Sequence, residues 1–368
     1  MIPTMFAAGS DAEGMPQGAP HIGDLPAGPG NAITDVAGVR VGHCTIAQGA
    51  MQTGVTVLVP HGADPYLHKV PAAAAVINGF GKSIGLVQLD ELGVLETPIA
   101  LTNTFAVGAV AQAQIRQACA ANPEIGRAWP TVNPLVFECN DGYLNDLQAM
   151  LVGELHYRLA CSAAGEPVEQ GAVGAGRGMS AFGLKGGIGT ASRVAAGHRV
   201  GALVLANYGK PEMLTIAGQR VGPALARCLA GQDDARGPEK GSIIMIVATD
   251  APLDSRQLRR LAQRAAAGLA RTGSVYGHGS GDIALAFSTA YTVPHDSTAP
   301  MPSVAMLHET SLDPLFHAAA DSVEQAILNA LWHAETVIGR DGHCRQSLRA
   351  VWTVMQAELA SHGGDMKR

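Results

Sequence analysis

The chain has 368 residues, enough for one large or two medium domains with a sizeable core. Hydrophobic residues make up 47% and charged residues only 15%, so much surface is expected to be buried, in part between subunits. A net charge of −6 and an aromatic content of 4% exclude a basic footprint or a stacking platform for nucleic acid.

Residues 1–30 are rich in Gly, Pro and Ala and read as an extended arm. Residues 1–15 hold no basic segment and no apolar run of signal-peptide length, and no stretch approaches the ~20 apolar residues of a membrane span. The six scattered cysteines form no CxxC pair, which fits free thiols in a reducing compartment. A soluble, cytoplasmic protein is expected. Ile33–Ile46 (ITDVAGVRVGHCTI) reads as a hairpin or strand pair, and Val55–Val59 as a strand closed by Pro60. Ala72–Ile77 and Ile99–Leu101 are further apolar segments. In Thr104–Ala121, Phe105, Val107, Val110, Ala111 and Gln114 recur at helical spacing and predict a helix with one buried face. Leu144–Ala164 is a second helical candidate, Gly171–Gly189 a glycine-rich loop, and Arg199–Asn207 a strand.

Gly231–Lys240 is polar and reads as an exposed loop. The run Ile243–Val247 after it reads as a buried strand. Ser255–Arg271 predicts a helix capped by Asp254 or Ser255, Asp282–Thr289 a strand, and Ser322–Gly339 a helix opened by a Ser322–Gln325 capping box. Strands and helices alternate on both sides of residue 242, which suggests layered α/β packing.

Several familiar motifs fail. Gly174–Gly178 lacks the spacing of a dinucleotide fingerprint, and Gly81-Lys82-Ser83 lacks the first glycine of a phosphate loop, since position 76 is Val76. No HExxH zinc motif and no GxSxG elbow occur.

What survives is a set of polar residues beside core strands. Gly241–Ser242 places a hydroxyl where a loop enters a strand; it is either a strand start or a self-cleavage junction with Ser242 as the new N-terminal nucleophile. In His278–Asp282 (HGSGD), Ser280 and Asp282 are two apart, so in extended backbone they share a face and Asp282 can orient the Ser280 hydroxyl. The alternative is a capped glycine turn. Phe137–Asp146 (FECNDGYLND) carries Glu138, Tyr143 and Asn145 beside an apolar segment. Asn207 ends an apolar strand, where a buried amide is either a structural pin or a donor aimed at a ligand.

The stretches ITDVAGVRVGH (Ile33–His43), LETPIALTNT (Leu95–Thr104), GYLND (Gly142–Asp146), KGGIGTASR (Lys185–Arg193), Gly241–Ser242, HGSGDIALAFSTA (His278–Ala290) and ETVIGRDG (Glu335–Gly342) occur in an order and separation that resemble one family. It is the self-processing peptidase family of the L-aminopeptidase/D-amidase-esterase and the β-peptidyl aminopeptidases. The resemblance implies a four-layer αββα sandwich of the ornithine acetyltransferase or DmpA-like kind, not a Rossmann fold. It implies a single catalytic domain over residues 1–368, cut between 241 and 242 into chains that stay together. Ser242 matches the nucleophile, Ser280 and Asp282 the supporting serine and acid, Asn207 the oxyanion donor, and Tyr143 an active-site tyrosine. Glu138 matches the acid that holds the substrate amine, although Cys139 beside it departs from the pattern. Asp282 stands where relatives also carry Glu, which shortens that arm. The resemblance further implies a small peptide or amino-acid amide as substrate, no cofactor and no metal. The assembly it implies is a closed homo-oligomer of cut protomers, with four the number to test.

The general base is left open between the freed Ser242 α-amine, whose ordinary pKa is near ~8, and a route through Ser280 and Asp282. Three other functions stand beside the aminopeptidase: an amidase on a non-peptide substrate, an acyltransferase of the ornithine acetyltransferase type, and a self-processed binding protein without activity.

Overall fold

The computed structural model describes residues 15–230 and 240–362. Two sheets lie face to face. The larger is built on β3 (His68–Gly79), β6 (Gly187–Ala195), β7 (His198–Asn207), β8 (Lys240–Thr249) and β9 (Gly279–Ser288), in the order β3-β9-β8-β7-β6, with short strands added at the β3 edge. The smaller runs β1 (Arg40–Gln48), β2 (Met51–Val59), β4 (Ile99–Asn103), β5 (Leu135–Cys139). In the larger sheet β8 and β9 are parallel, while β8 is antiparallel to β7 and β9 to β3.

Both faces of the larger sheet are covered, which is why β8 reads as one unbroken apolar run. Ile244, Ile246 and Ala248 pack with Leu205, Ile283 and Leu285 against Leu58, Leu101 and Phe137 of the smaller sheet. Ile243, Met245 and Val247 point the other way, into helices α5 (Ser255–Arg271) and α6 (Asp313–His333). A methyl group on Gly189 of β6 would sit 1.9 Å from the Ala326 carbonyl, so α6 rests directly on the strand there. Helices α2 (Val107–Ala121) and α3 (Glu154–Ser162) cover the outer face of the smaller sheet, where Val110, Tyr157 and Ala160 meet Val57, Ala100 and Val136. The result is the four-layer αββα sandwich.

Helix α5 spans the expected residues, with Asp254 accepting from the Gln257 N–H at 2.7 Å in a capping box. Helix α6 begins nine residues before Ser322, with Pro314 in its first turn, and it ends at His333, short of Gly339. Ser322 is therefore no cap; it is a buried mid-helix residue whose hydroxyl donates to the Val200 carbonyl at 3.1 Å. The Leu144–Ala164 helix shrinks to α3, because the segment before Gly153 is a loop tied by Asp141, Asn145 and Asp146. Phe105 lies ahead of α2 and is exposed rather than buried. Ile33–Asp35 is a single 3₁₀ turn, and the hairpin partner of β1 is β2.

Of the loop expected at Gly231–Lys240, residues 231–239 lie outside the described residues, and Lys240 already opens β8. Residues 1–14 of the arm also lie outside them. The rest of the arm lies on the sandwich, where the Ile22 carbonyl accepts from the buried Arg193 guanidinium at 2.8 Å and the Pro16 carbonyl from Trp332.

Candidate active site

Ser242 is the third residue of β8 and is 7% exposed. In the antiparallel pairing of β7 with β8 it stands opposite Asn207, and residues so paired project to the same face. In the parallel pairing of β8 with β9 it stands opposite Gly281, whose N–H donates to Ser242 Oγ at 3.1 Å. A methyl group on Gly281 would meet Ser242 Oγ at 3.0 Å, so the hydroxyl occupies the space that this glycine leaves open.

Asn207 is buried and held at both ends of its amide. Its Oδ1 accepts from the Ser180 N–H at 2.9 Å, and its Nδ2 donates to the Asn140 carbonyl at 3.0 Å. A backbone donor at one end and a backbone acceptor at the other decide which end is oxygen and which nitrogen. One hydrogen of the NH₂ group is used there, and Asn207 projects to the same face as Ser242.

Ser280 and Asp282 are fully buried near the start of β9, and the Ser280 hydroxyl donates to Asp282 Oδ1 at 2.6 Å. The i, i+2 geometry expected from the spacing is present, within a strand rather than in a turn before it. Ser280 is paired with Gly241, one position before Ser242. Strand alternation then puts Ser280 and Asp282 on the face of Ala284 and Ala286, whereas Ser242 and Gly281 share the face of Ile244 and Ile283. The pair thus flanks the Gly241–Ser242 peptide from the face opposite to Ser242 Oγ. Asn78, at the end of β3, steadies this strand start by donating to the carbonyls of Gly277 and Ser280.

Glu138 is 3% exposed on β5. Its Oε1 accepts from the Lys82 N–H at 2.9 Å, and its Oε2 accepts from the Thr104 hydroxyl. The segment that meets Glu138 also borders the surroundings of Ser242, because a methyl group on Gly281 would lie 2.6 Å from the Phe80 carbonyl oxygen and 3.0 Å from Ser242 Oγ. The neighbouring Cys139 thiol is fully buried and reaches the carbonyl oxygens of Ser242, at 3.4 Å, and Leu205, at 3.6 Å. Burial pushes its pKa well up, so this thiol is a packing group and not a second nucleophile.

Tyr143 sits differently from the other candidates. Its ring stacks on His343 with centroids 4.6 Å apart, and the Arg345 guanidinium lies 3.5 Å from the ring centroid. The residue of its loop that reaches Asn207 is Asn140. Asn140, Asn78, His343 and Arg345 were not singled out from the sequence. Asn78 carried the same signal as Asn207, an amide ending an apolar strand.

A cavity of about 720 Å³ lined by His21, Asp24, Arg271, His317, Asp321 and Glu324 includes none of the site residues, and Arg271 there is paired with Asp321 at 2.6 Å. Among the described residues no three His, Cys, Asp or Glu are grouped to hold a metal ion, and no helix is long and apolar enough to cross a membrane.

An αββα sandwich with a serine near the start of a central strand and a fixed amide opposite it defines a hydrolase of the N-terminal-nucleophile class. The chain belongs to peptidase family S58, whose profile matches residues 31–345. It is 38% identical to the β-peptidyl aminopeptidase BapA of Sphingosinicella microcystinivorans over 371 residues, covering 94% of this chain and 92% of that protein. Its structure is similar to a Burkholderia sp. β-aminopeptidase, with a TM-score of 0.84, 42% identity, and coverage of 93% of this chain and 97% of the other. It is also similar to the L-aminopeptidase D-Ala-esterase/amidase of Ochrobactrum anthropi, described as a variant of the Ntn hydrolase fold, with a TM-score of 0.85, 36% identity, and coverage of 94% and 98%. The protein is a self-processing serine aminopeptidase, a hydrolase of peptide and amide bonds.

Proposed function

We propose that Ser242 is the nucleophile, freed by self-cleavage of the Gly241–Ser242 bond, and that the mature enzyme removes N-terminal residues, β-amino acids included, from small peptides and amino-acid amides. The observation that carries this reading is the hydrogen bond from the Gly281 N–H to Ser242 Oγ, with Asn207 opposite Ser242 in the sheet.

In the uncut chain Ser242 Oγ attacks the Gly241 carbonyl carbon. The Oγ–C bond forms, the C–N bond to Ser242 breaks, and the hydroxyl proton goes to the departing nitrogen, which becomes the Ser242 α-amine. Water then opens the ester and leaves residues 1–241 with a new C-terminal carboxylate. Gly241 leaves this carbonyl uncrowded. In turnover the α-amine takes the Oγ proton, and Oγ attacks the substrate carbonyl. Asn207 Nδ2 stabilises the oxyanion, a contribution of about 3 kcal/mol for one donor.

The position of Ser280 beside Gly241 supports a division of labour. Its hydrogen is committed to Asp282, so its lone pairs accept from the Ser242 α-amine and hold it, while that amine serves as the base. Glu138 pairs with the substrate ammonium, which restricts attack to the first residue. Tyr143, braced by His343 and Arg345, forms a wall on the Asn140 side. The reaction needs no cofactor or metal. All six cysteines are free, which supports the cytoplasm as its place, and the exposed Phe105, Ile115, Leu155 and Leu159 around α2 and α3 support a homo-oligomer of cut protomers, a tetramer first.

Intact mass under denaturing conditions tests the reading. Wild-type protein is expected as two chains meeting at Gly241 and Ser242, and Ser242→Ala as one inert chain. A wild-type chain that stays whole for days while hydrolysing β-alanine amides, or a Ser242→Ala chain that is cut, would refute it.

A further inference from the structure

Lys185 opens the KGGIGT stretch, and the chemistry above makes no use of it. It ends the short strand Leu184–Lys185 and is paired there with Ser180. Its side chain is fully buried. Nζ donates to three main-chain carbonyls, those of Gly176 at 2.8 Å, Met179 at 2.7 Å and Gly186 at 2.8 Å. Burial pushes the lysine pKa well down, yet three acceptors match the three hydrogens of an ammonium, and an amine would leave one of them unfilled. An apolar side chain of similar length would fill this space without placing a charge in the core.

The carbonyl of Met179 and the N–H of Ser180 belong to one peptide unit. The carbonyl is gripped by Lys185 Nζ and by the Gly186 N–H at 3.0 Å. The N–H leaves the opposite edge and donates to Asn207 Oδ1 at 2.9 Å. A peptide unit is planar, so fixing its carbonyl fixes the direction of its N–H. A positive charge on the carbonyl also polarises the unit and strengthens the N–H as a donor. The other end of the Asn207 amide donates to the Asn140 carbonyl at 3.0 Å.

We propose that Lys185 is a positioning residue for Asn207. It aims the amide through the Met179–Ser180 peptide, and so sets the rate of both self-cleavage and substrate turnover. This rests on the reading of Ser242 and Asn207 above.

The test is a double-mutant cycle in the full-length chain with Lys185→Met and Asn207→Ala. Self-cleavage is followed by intact mass, and kcat and KM are measured on β-alanine p-nitroanilide per mole of cut chain. Each single variant is expected to slow self-cleavage and kcat about a hundredfold, with KM within about threefold of wild type. The double variant is expected to be no slower than the slower single one, because Lys185 acts only through Asn207. A lysine that merely braces its turn gives multiplying losses, about ten-thousandfold in the double variant, and that result overturns the proposal. Wild-type rates in Lys185→Met overturn it as well. Should Lys185→Met lose its far-UV circular dichroism, Ser180→Pro takes its place in the cycle. Proline at the first residue of this short strand removes the N–H that faces Asn207, and unchanged rates there would refute the path. If wild type neither cuts itself nor hydrolyses amides, it is the Ser242 reading that fails; if it does both and the losses multiply, the Lys185 proposal alone fails.

Discussion

Gly281→Ala perturbs the proposed nucleophile, Ser242, without changing its side chain. The added methyl carbon would lie 2.6 Å from the Phe80 carbonyl oxygen and 3.0 Å from Ser242 Oγ, where ordinary contact begins at 3.4 Å. The strand, the Phe80 backbone or the serine must therefore give way, by about 0.8 Å on one side and 0.4 Å on the other. The Phe80 side is stiff, because two residues on the Lys82 N–H is bonded to the buried Glu138. The overpacking costs about 1–3 kcal/mol of stability. A reacting atom misplaced by ~1 Å loses on the order of a hundredfold in rate, so a shift of about half that, with a strained Gly281 N–H bond, is expected to slow self-cleavage by about ten- to a hundredfold. The assay is a time course of intact mass at 25 °C, with a thermal unfolding scan to show that the chain is folded. Gly108→Ala is the control, since a methyl group there meets nothing within 4 Å. A folded Gly281→Ala chain that is cut at the wild-type rate would mean that Ser242 Oγ does not react from this position.

Two further outcomes are expected. Glu138→Gln removes a buried carboxylate that accepts from Lys82 and Thr104, and a charged hydrogen bond contributes about 1.5–3 kcal/mol, so KM for amino-acid amides should rise about ten- to a hundredfold. Steady-state kinetics showing the loss in kcat alone would remove Glu138 from the amine site. Burial raises the Asp141 pKa from 3.8 to about 7, so between those values the folded chain holds this proton more tightly than the unfolded one. Its contribution to stability is full below about pH 4 and lost as pH rises through 7, amounting to roughly 4 kcal/mol at most. Asp141→Asn removes that slope. In the uncut Ser242→Ala background, urea unfolding should find the Asn variant gaining on its parent from pH 4 to 7 and no further above. A difference that stays flat across that range would show that the carboxyl is not held protonated.

The ends of the core strands were legible because a polar residue closing an apolar run has few innocent explanations. Ser242 and Asn207 both carry that signal, and the sheet sets them opposite each other. Their register does not, because it is set by pairing between strands far apart in sequence. The HGSGD spacing points to Ser280 as the partner of the nucleophile, yet the parallel register brings Gly281 opposite Ser242 and carries Ser280 to Gly241. The start of helix α6 is hidden in the sequence for a related reason. It is buried on nearly every side, so no polar stripe marks its face, and Ser322 and Gln325 imitate a cap while sitting inside it. Lys185 stayed hidden because a lysine in a glycine-rich run looks like a surface loop until three carbonyls are found around it.

That register bears on how one hydroxyl can perform two reactions. On the proposed reading Ser242 attacks the Gly241 carbonyl first and a substrate carbonyl afterwards. The departing nitrogen is its own in the first case and the substrate's in the second. A base placed directly on Oγ would have to serve both geometries from one position. Ser280 and Asp282 instead lie across the sheet beside the Gly241–Ser242 peptide, while Asn207 and the Gly281 N–H lie on the side of Oγ. On this arrangement the oxyanion side can stay unchanged through both reactions. What changes is the nitrogen beside Ser280, which begins as an amide with no basicity and becomes an amine able to take the Oγ proton. On the proposed reading cleavage thereby makes the base, and the uncut chain is held back from turnover by the absence of that amine.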